Sequence, residues 1–129
     1  MERYVGRMMR NMSLAKMVNF TSGMWTPAID IYETEDAVLV YIDVSGVDPE
    51  KAGITVDPKA ITVSGERRFP HKNLHNIHQM EIEYGYFQRT VSLPVPVDVA
   101  NASSALKNGL LIVTLPKLKN KGSIKIKLS

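Results

Sequence analysis

An Asn-Gly pair at positions 108 and 109 constrains this chain more than any other feature. It lies between Ala105-Leu-Lys and Leu110-Leu-Ile-Val-Thr-Leu115, and it supplies the two φ > 0 positions of a tight hairpin. The second arm of that hairpin is a strongly apolar, β-branched run that ends at Pro116. Proline has no N–H to give a ladder, so strand pairing is predicted to stop there. Beyond it lies a lysine-rich spacer and then Ile124-Lys-Ile126. In an extended segment both isoleucines share one face and Lys125 takes the other. So short a segment cannot hold a core of its own, so its apolar face is expected to be buried on another copy of the chain.

The same alternation runs through the middle of the sequence. Ile29 and Ile31 alternate with polar neighbours, and 37–44 forms an apolar strand broken by Ser45-Gly46-Val47-Asp48-Pro49-Glu50. Ile54-Thr-Val56 and Ile61-Thr-Val63 are near copies joined by Asp57-Pro58-Lys59-Ala60, which reads as a second hairpin. Gly65 is expected to end its second strand. Further strands are expected over 86–93, closed by Pro94 and Pro96, and over 101–107. Short strands separated by turn residues predict an all-β antiparallel sandwich of the immunoglobulin-like kind, with no helix in the body. Residues 66–84 form a long polar stretch. Loops of that length are functional or disordered, and 77–82 is expected either to pair outside its own sheet or to stay a plain loop.

Charge divides the 129 residues into three parts. Residues 1–25 hold four basic residues and one acid, 26–116 carry a net charge of −5, and 117–129 hold five lysines and no acid. The expected organisation is therefore an arm (1–25), a β-sandwich body (26–117) and a tail (118–129). A nucleic-acid-binding fold needs its basic face on the body, and here the body is acidic. Basic arms on an acidic body suit contact with neighbouring copies, where charge sets encounter and register. No run of about eighteen apolar residues exists for a membrane helix. The absence of cysteine excludes disulfides and thiolate chemistry and suits a reducing cytoplasm. Arg3, Arg7, Arg10 and Lys16 leave a mitochondrial-type presequence as the alternative.

Four stretches together resemble the alpha-crystallin domain of small heat-shock proteins, of the bacterial and plant type. Trp25-Thr-Pro27-Ala28-Ile29-Asp30-Ile31-Tyr32-Glu33 is similar to the family's opening motif. Val40-Tyr-Ile-Asp43-Val44-Ser-Gly46-Val47 resembles its D-x-P-G turn, with serine in place of the usual proline. Glu81-x-x-Tyr84-Gly85-x-Phe87-x-Arg89 followed by Leu93-Pro94 resembles the strand after the dimerisation loop. Ala105-x-x-Asn108-Gly109-Leu110-Leu111 with Ile124-x-Ile126 resembles the closing hairpin and C-terminal anchor. Two departures concern contacts: Ile82 stands where arginine is common, and Ala102 where a larger aliphatic is usual.

The resemblance implies an ATP-independent chaperone, a holdase that binds partly unfolded clients and works as an oligomer of dimers. It also implies site residues. Ile124 and Ile126 would anchor the tail in an edge groove formed by Ile54, Val56, Ala102 and Ser104. Ile77, Met80, Ile82 and Arg89 would serve the dimer interface. Six of the seven methionines lie in the first 24 residues, and methionine adapts to irregular apolar partners. Val5, Met8, Met9 and Met12 fit one helical face. Met8, Met9, Met12, Met17, Phe20 and Trp25 are accordingly the expected client-binding elements.

Enzyme signatures are missing: there is no G-x-S-x-G elbow, phosphate-binding P-loop or H-E-x-x-H pair. His71, His75 and His78 lie in the long stretch without a fixed fourth ligand, so a solvated loop is expected rather than a metal site. No cofactor, nucleotide, nucleic acid or membrane partner is expected. The competing reading is a non-oligomerising co-chaperone or adaptor with the same sandwich. A remoter one is a membrane-surface protein using the basic arm.

Overall fold

Two hairpins with well-defined turns set the strand registers of the computed structural model, which describes residues 24–119. Asn108 and Gly109 both have positive φ (52° and 81°), and the register across them pairs Lys107 with Leu110. At the other hairpin the Asp57 carboxylate accepts from the backbone N–H groups of Lys59 and Ala60 at 2.8 and 2.9 Å. That local bonding closes the turn and sets Ile54 opposite Val63 and Val56 opposite Ile61.

Seven strands follow in chain order: β1 (Ile29–Glu33), β2 (Ala37–Asp43), β3 (Gly53–Asp57), β4 (Ala60–Arg67), β5 (Gly85–Ser92), β6 (Ser103–Lys107) and β7 (Leu110–Pro116). They form a four-stranded sheet in the order β1-β2-β7-β6 and a three-stranded sheet in the order β3-β4-β5, with every strand pair antiparallel. The fold is the all-β sandwich expected. Alternation along β2 buries Val38, Val40 and Ile42 against Ile61 and Val63 of β4, Phe87 of β5, and Val113 and Leu115 of β7. Each such side chain contributes about 1.5–3 kcal/mol on burial, so this cluster is the main cohesive term of the sandwich.

Three local expectations need correction. Gly65 does not end its strand, because β4 continues to Arg67. The glycine is there because Phe87, its cross-strand partner, lies over it; a Cβ would come within 2.8 Å of the ring. β7 and its ladder end at Pro116 as expected, but single backbone bonds and an isolated bridge of Lys117 to Val97 follow. The Pro116 carbonyl accepts from the Asp98 N–H at 2.8 Å, Lys117 donates to the Asp36 carbonyl at 2.8 Å, and Leu118 donates to the Pro96 carbonyl at 3.0 Å. Proline lacks only the donor, and its neighbours supply the bonds that close this end of the sandwich. The strand expected over 101–107 begins later: a short 3-10 turn, Val99–Asn101, precedes β6.

Trp25 is the largest difference. The sequence places it in the arm as a client-contact residue, but it is 5% exposed and belongs to the core. Met24 makes a parallel bridge to Tyr86, and the Trp25 N–H donates to the Tyr86 carbonyl at 2.9 Å. That pairing beside β5 carries the indole inward, where it meets Phe87 edge-on at 5.0 Å. Its Nε1–H donates to the Gly85 carbonyl at 2.7 Å. A buried indole needs a partner for its one donor, and the end of the loop provides it.

Candidate functional site

The outer strands of the two sheets carry apolar side chains that their own sandwich leaves half covered. β3 is an edge strand, and the register places Ile54 and Val56 opposite the buried Val63 and Ile61, hence on the inward face. Both are only half-buried, although they pack on the core. β6 is the edge of the other sheet. Ser104 pairs with the buried Val113, and Leu106 with Leu111, so both face inward too. Yet Ser104 is exposed and Leu106 is 49% exposed. Ala102 is half-buried against the core. Inward-facing positions open to water mark places where the sandwich lacks a covering element. Each edge also offers backbone groups to an extended segment. Ile124 and Ile126, which the sequence assigns to such a groove, lie outside the described residues.

The stretch between β4 and β5, residues 68–84, forms no strand in this chain. Phe69 and Tyr84 close its base edge-on at 5.1 Å, and His71 meets Phe69 at 6.0 Å. Above that pair is a concavity of about 300 Å³ lined by Leu74, Ile77, Met80 and Ile82 among others. Met80 is buried at 8%, Ile77 is half-buried, and Ile82 stands 61% exposed. The stretch therefore presents Leu74 and Ile82 outward and tucks Ile77 and Met80 in. His71, His75 and His78 are all exposed, and the described residues contain no metal-holding cluster of His, Cys, Asp or Glu.

Arg89 pairs with Val63, which gives it inward parity on β5, and its Nη1 donates to the Pro27 carbonyl at 2.8 Å. Among the described residues the ion pair is Glu33–Lys117 at 2.7 Å, so no carboxylate of the described residues pairs with Arg89.

Sequence reasoning missed Arg67 altogether, having left it in a polar stretch. Its Nε donates to the Ser45 carbonyl and its Nη1 to the Glu83 carbonyl, both at 2.8 Å, and its guanidinium stacks over Trp25. One side chain thus joins the start of the body, the turn after β2 and the base of the loop. No sequence signal marks it, because its partners are backbone carbonyls distant in the chain.

The turn after β2 shows what the serine there does. Asp43 Oδ1 accepts from the Ser45 hydroxyl at 2.9 Å and from the Ser45 N–H at 3.2 Å. Those bonds hold the Asp43 carboxyl below its ordinary range, with the hydroxyl as the larger cause. Proline at this position would supply neither donor. On the outer face of β1, the Tyr32 hydroxyl donates to Asp30 at 2.8 Å, and that bond with the adjacent negative charge pushes the phenol up.

Residues 30–129 match the model of the Hsp20/alpha crystallin family. Small heat shock protein C4 of Rickettsia felis is 29% identical over 118 residues, covering 91% of this chain and 72% of that protein. Among solved structures, heat shock protein 16.0 from Schizosaccharomyces pombe superposes with a TM-score of 0.70 at 35% identity, covering 81% of this chain and 78% of that one. A small heat-shock protein from Xylella fastidiosa, described as having a distinct high order structure, gives 0.68 at 25% identity over 81% and 97%.

Proposed function

The chain belongs to the Hsp20/alpha crystallin family, whose small heat-shock members are chaperones rather than enzymes, and on that premise we propose that it is an ATP-independent holdase built from exchangeable copies. In this reading Ile124 and Ile126 of one copy enter the edges of another, against Ile54, Val56, Ala102 and Ser104. The observation that carries it is the half-covered inward row on β3 and β6, to which the chain also supplies a matching apolar pair. Two buried isoleucines contribute roughly 3–6 kcal/mol before ordering costs. One such contact is weak, but repeated around an assembly it holds copies together while each still exchanges.

Ile77, Met80, Ile82 and Arg89 form the proposed dimer contact, with the exposed Ile82 as its outward point. Met8, Met9, Met12, Met17 and Phe20, all outside the described residues, are the proposed client-binding side chains. Trp25 has no part in that surface, since its ring is in the core. A cytoplasmic location belongs to the same proposal; no helix among the described residues is long and apolar enough to cross a membrane.

The test is light scattering of a heat-labile, unrelated client. A molar excess of this protein without nucleotide should suppress aggregation, and unchanged scattering would reject the holdase reading. Ile124→Gly with Ile126→Gly should reduce particle size to dimers by native mass spectrometry. Unchanged particle size would remove the tail-docking part alone.

A further inference from the structure

Alternate carbonyls at the end of the 68–84 stretch are held by two side chains that touch each other. The Glu83 carbonyl accepts from Arg67 Nη1 at 2.8 Å, and the Gly85 carbonyl accepts from Trp25 Nε1 at 2.7 Å. Between them Tyr84 sets its ring edge-on to Phe69, and Gly85 takes φ 108°, a conformation that glycine adopts without strain. The two donors are joined because the guanidinium lies over the indole. Arg67 and Gly85 also form the last pair of the β4–β5 ladder, so both roots of the stretch meet here.

Each side of this arrangement leads to a part of the chain with its own task. Ile82, directly before Glu83, is the exposed outward point of the dimer contact. On the other side Trp25 donates through its backbone to Tyr86, and Met24 bridges the same residue where segment 1–23 joins the body. The Arg67 stem passes beside Gly46, and the Nε bond to the Ser45 carbonyl anchors the group to the turn after β2. A planar fork can lie flat on an aromatic ring while its N–H groups donate in two directions, and the ammonium of lysine cannot.

We propose that Arg67 is a positioning residue for the dimer contact. With Trp25 it fixes the carbonyls of Glu83 and Gly85, sets the direction in which Ile82 leaves the body, and couples the pairing of copies to the seating of the chain's entry. This coupling rests on the contact proposed for Ile77, Met80, Ile82 and Arg89. It is reciprocal, as any coupling between two sites must be. A partner seated on Ile82 favours the clasped state and tightens Trp25. A copy without its partner holds Trp25, and the segment before it, less firmly.

Dilution of the full-length protein tests this, with monomer and dimer counted by native mass spectrometry. The concentration at which monomer appears should rise roughly tenfold in Arg67→Ala, and nearly as much in Arg67→Lys, since the fork rather than the charge reaches both carbonyls. Ile61→Val, a core truncation at the opposite end of β4, should leave that concentration unchanged. Trp25 is the sole tryptophan, so its emission over the same dilution should move to longer wavelength in step with the monomer fraction. Dimers that dissociate with no change in emission would overturn the coupling. So would an unchanged concentration in either Arg67 variant, or an equal rise in Ile61→Val, which would make the effect one of general stability. A protein monomeric at every concentration would reject the dimer reading, and the coupling with it.

Discussion

The Arg67 guanidinium lies 4.0 Å from the centre of the Trp25 ring while its N–H groups hold the carbonyls of Ser45 and Glu83. A stacked cation over a buried indole contributes about 0.5–2 kcal/mol, and its charged donors add further bonds. The pair ties the first residues of the body to the base of the 68–84 stretch. Any rearrangement of that stretch is therefore felt at the chain's entry into the sandwich.

Trp25→Ala should destabilise the protein by about 3–5 kcal/mol, as removal of a large core aromatic does. Trp25→Phe keeps the ring against Phe87 but loses the bond to Gly85, and should cost about 1 kcal/mol from that bond. Urea unfolding followed by far-UV circular dichroism measures both. Trp25 is the sole tryptophan, so its fluorescence also reports the pair, and Arg67→Ala should alter the emission of the folded protein. Equal, small losses for the two Trp25 variants would mean the indole is not a core element.

Gly65→Ala should cost about 1–3 kcal/mol, the usual range for overpacking, because the new methyl meets Phe87 at 2.8 Å. In a Phe87→Leu background the same substitution should cost clearly less, since the clashing ring is gone. Additive losses in the double variant would show that the two positions are not coupled.

The turn after β2 should make stability depend on acid. The Asp43 carboxyl is held below its ordinary value of 3.8, so the stabilising contribution is complete above that value and is lost as pH falls through the lower folded-state value. Ser45→Ala removes the largest of the lowering causes and should shallow the fall in melting temperature below pH 3.8; Asp43→Asn should remove this component. Thermal melts across that range measure it. Identical acid slopes in all three proteins would contradict the assignment.

Ser104→Glu and Val56→Glu place a charge in the half-covered edges; Ser104 is exposed, whereas Val56 packs on the core, so circular dichroism first checks that its variant is folded. If the tail docks there, either should shrink the particles as the Ile124 and Ile126 double variant does. Combining groove and tail substitutions should add little more, since both break one contact. Size-exclusion chromatography with light scattering decides; full additivity would place the tail elsewhere.

The hairpins were legible because their information is local. Asn108 and Gly109 accept positive φ, and the Asp57 carboxylate closes a turn with donors two and three residues away. The inward rows of β2, β4 and β7 were legible from period-two alternation alone. Gly65 was misread because its reason is Phe87, a cross-strand neighbour 22 positions away. The strand end at Pro116 was legible, but the bonds around and beyond it were not, because they go to Asp36, Pro96 and Asp98, which meet it only in the folded chain.

Sequence by itself determined the strand segments, the two tight turns and the sandwich class, since each follows from the conformational preferences of a few adjacent residues. Tertiary structure alone decided that Trp25 is core, that Arg67 clasps three segments, and which edges stay half covered. Those outcomes depend on which strands become neighbours and on backbone carbonyls that carry no sequence signature. Burial and hydrogen-bond partners are properties of the assembled sheets, and no single stretch of residues contains them.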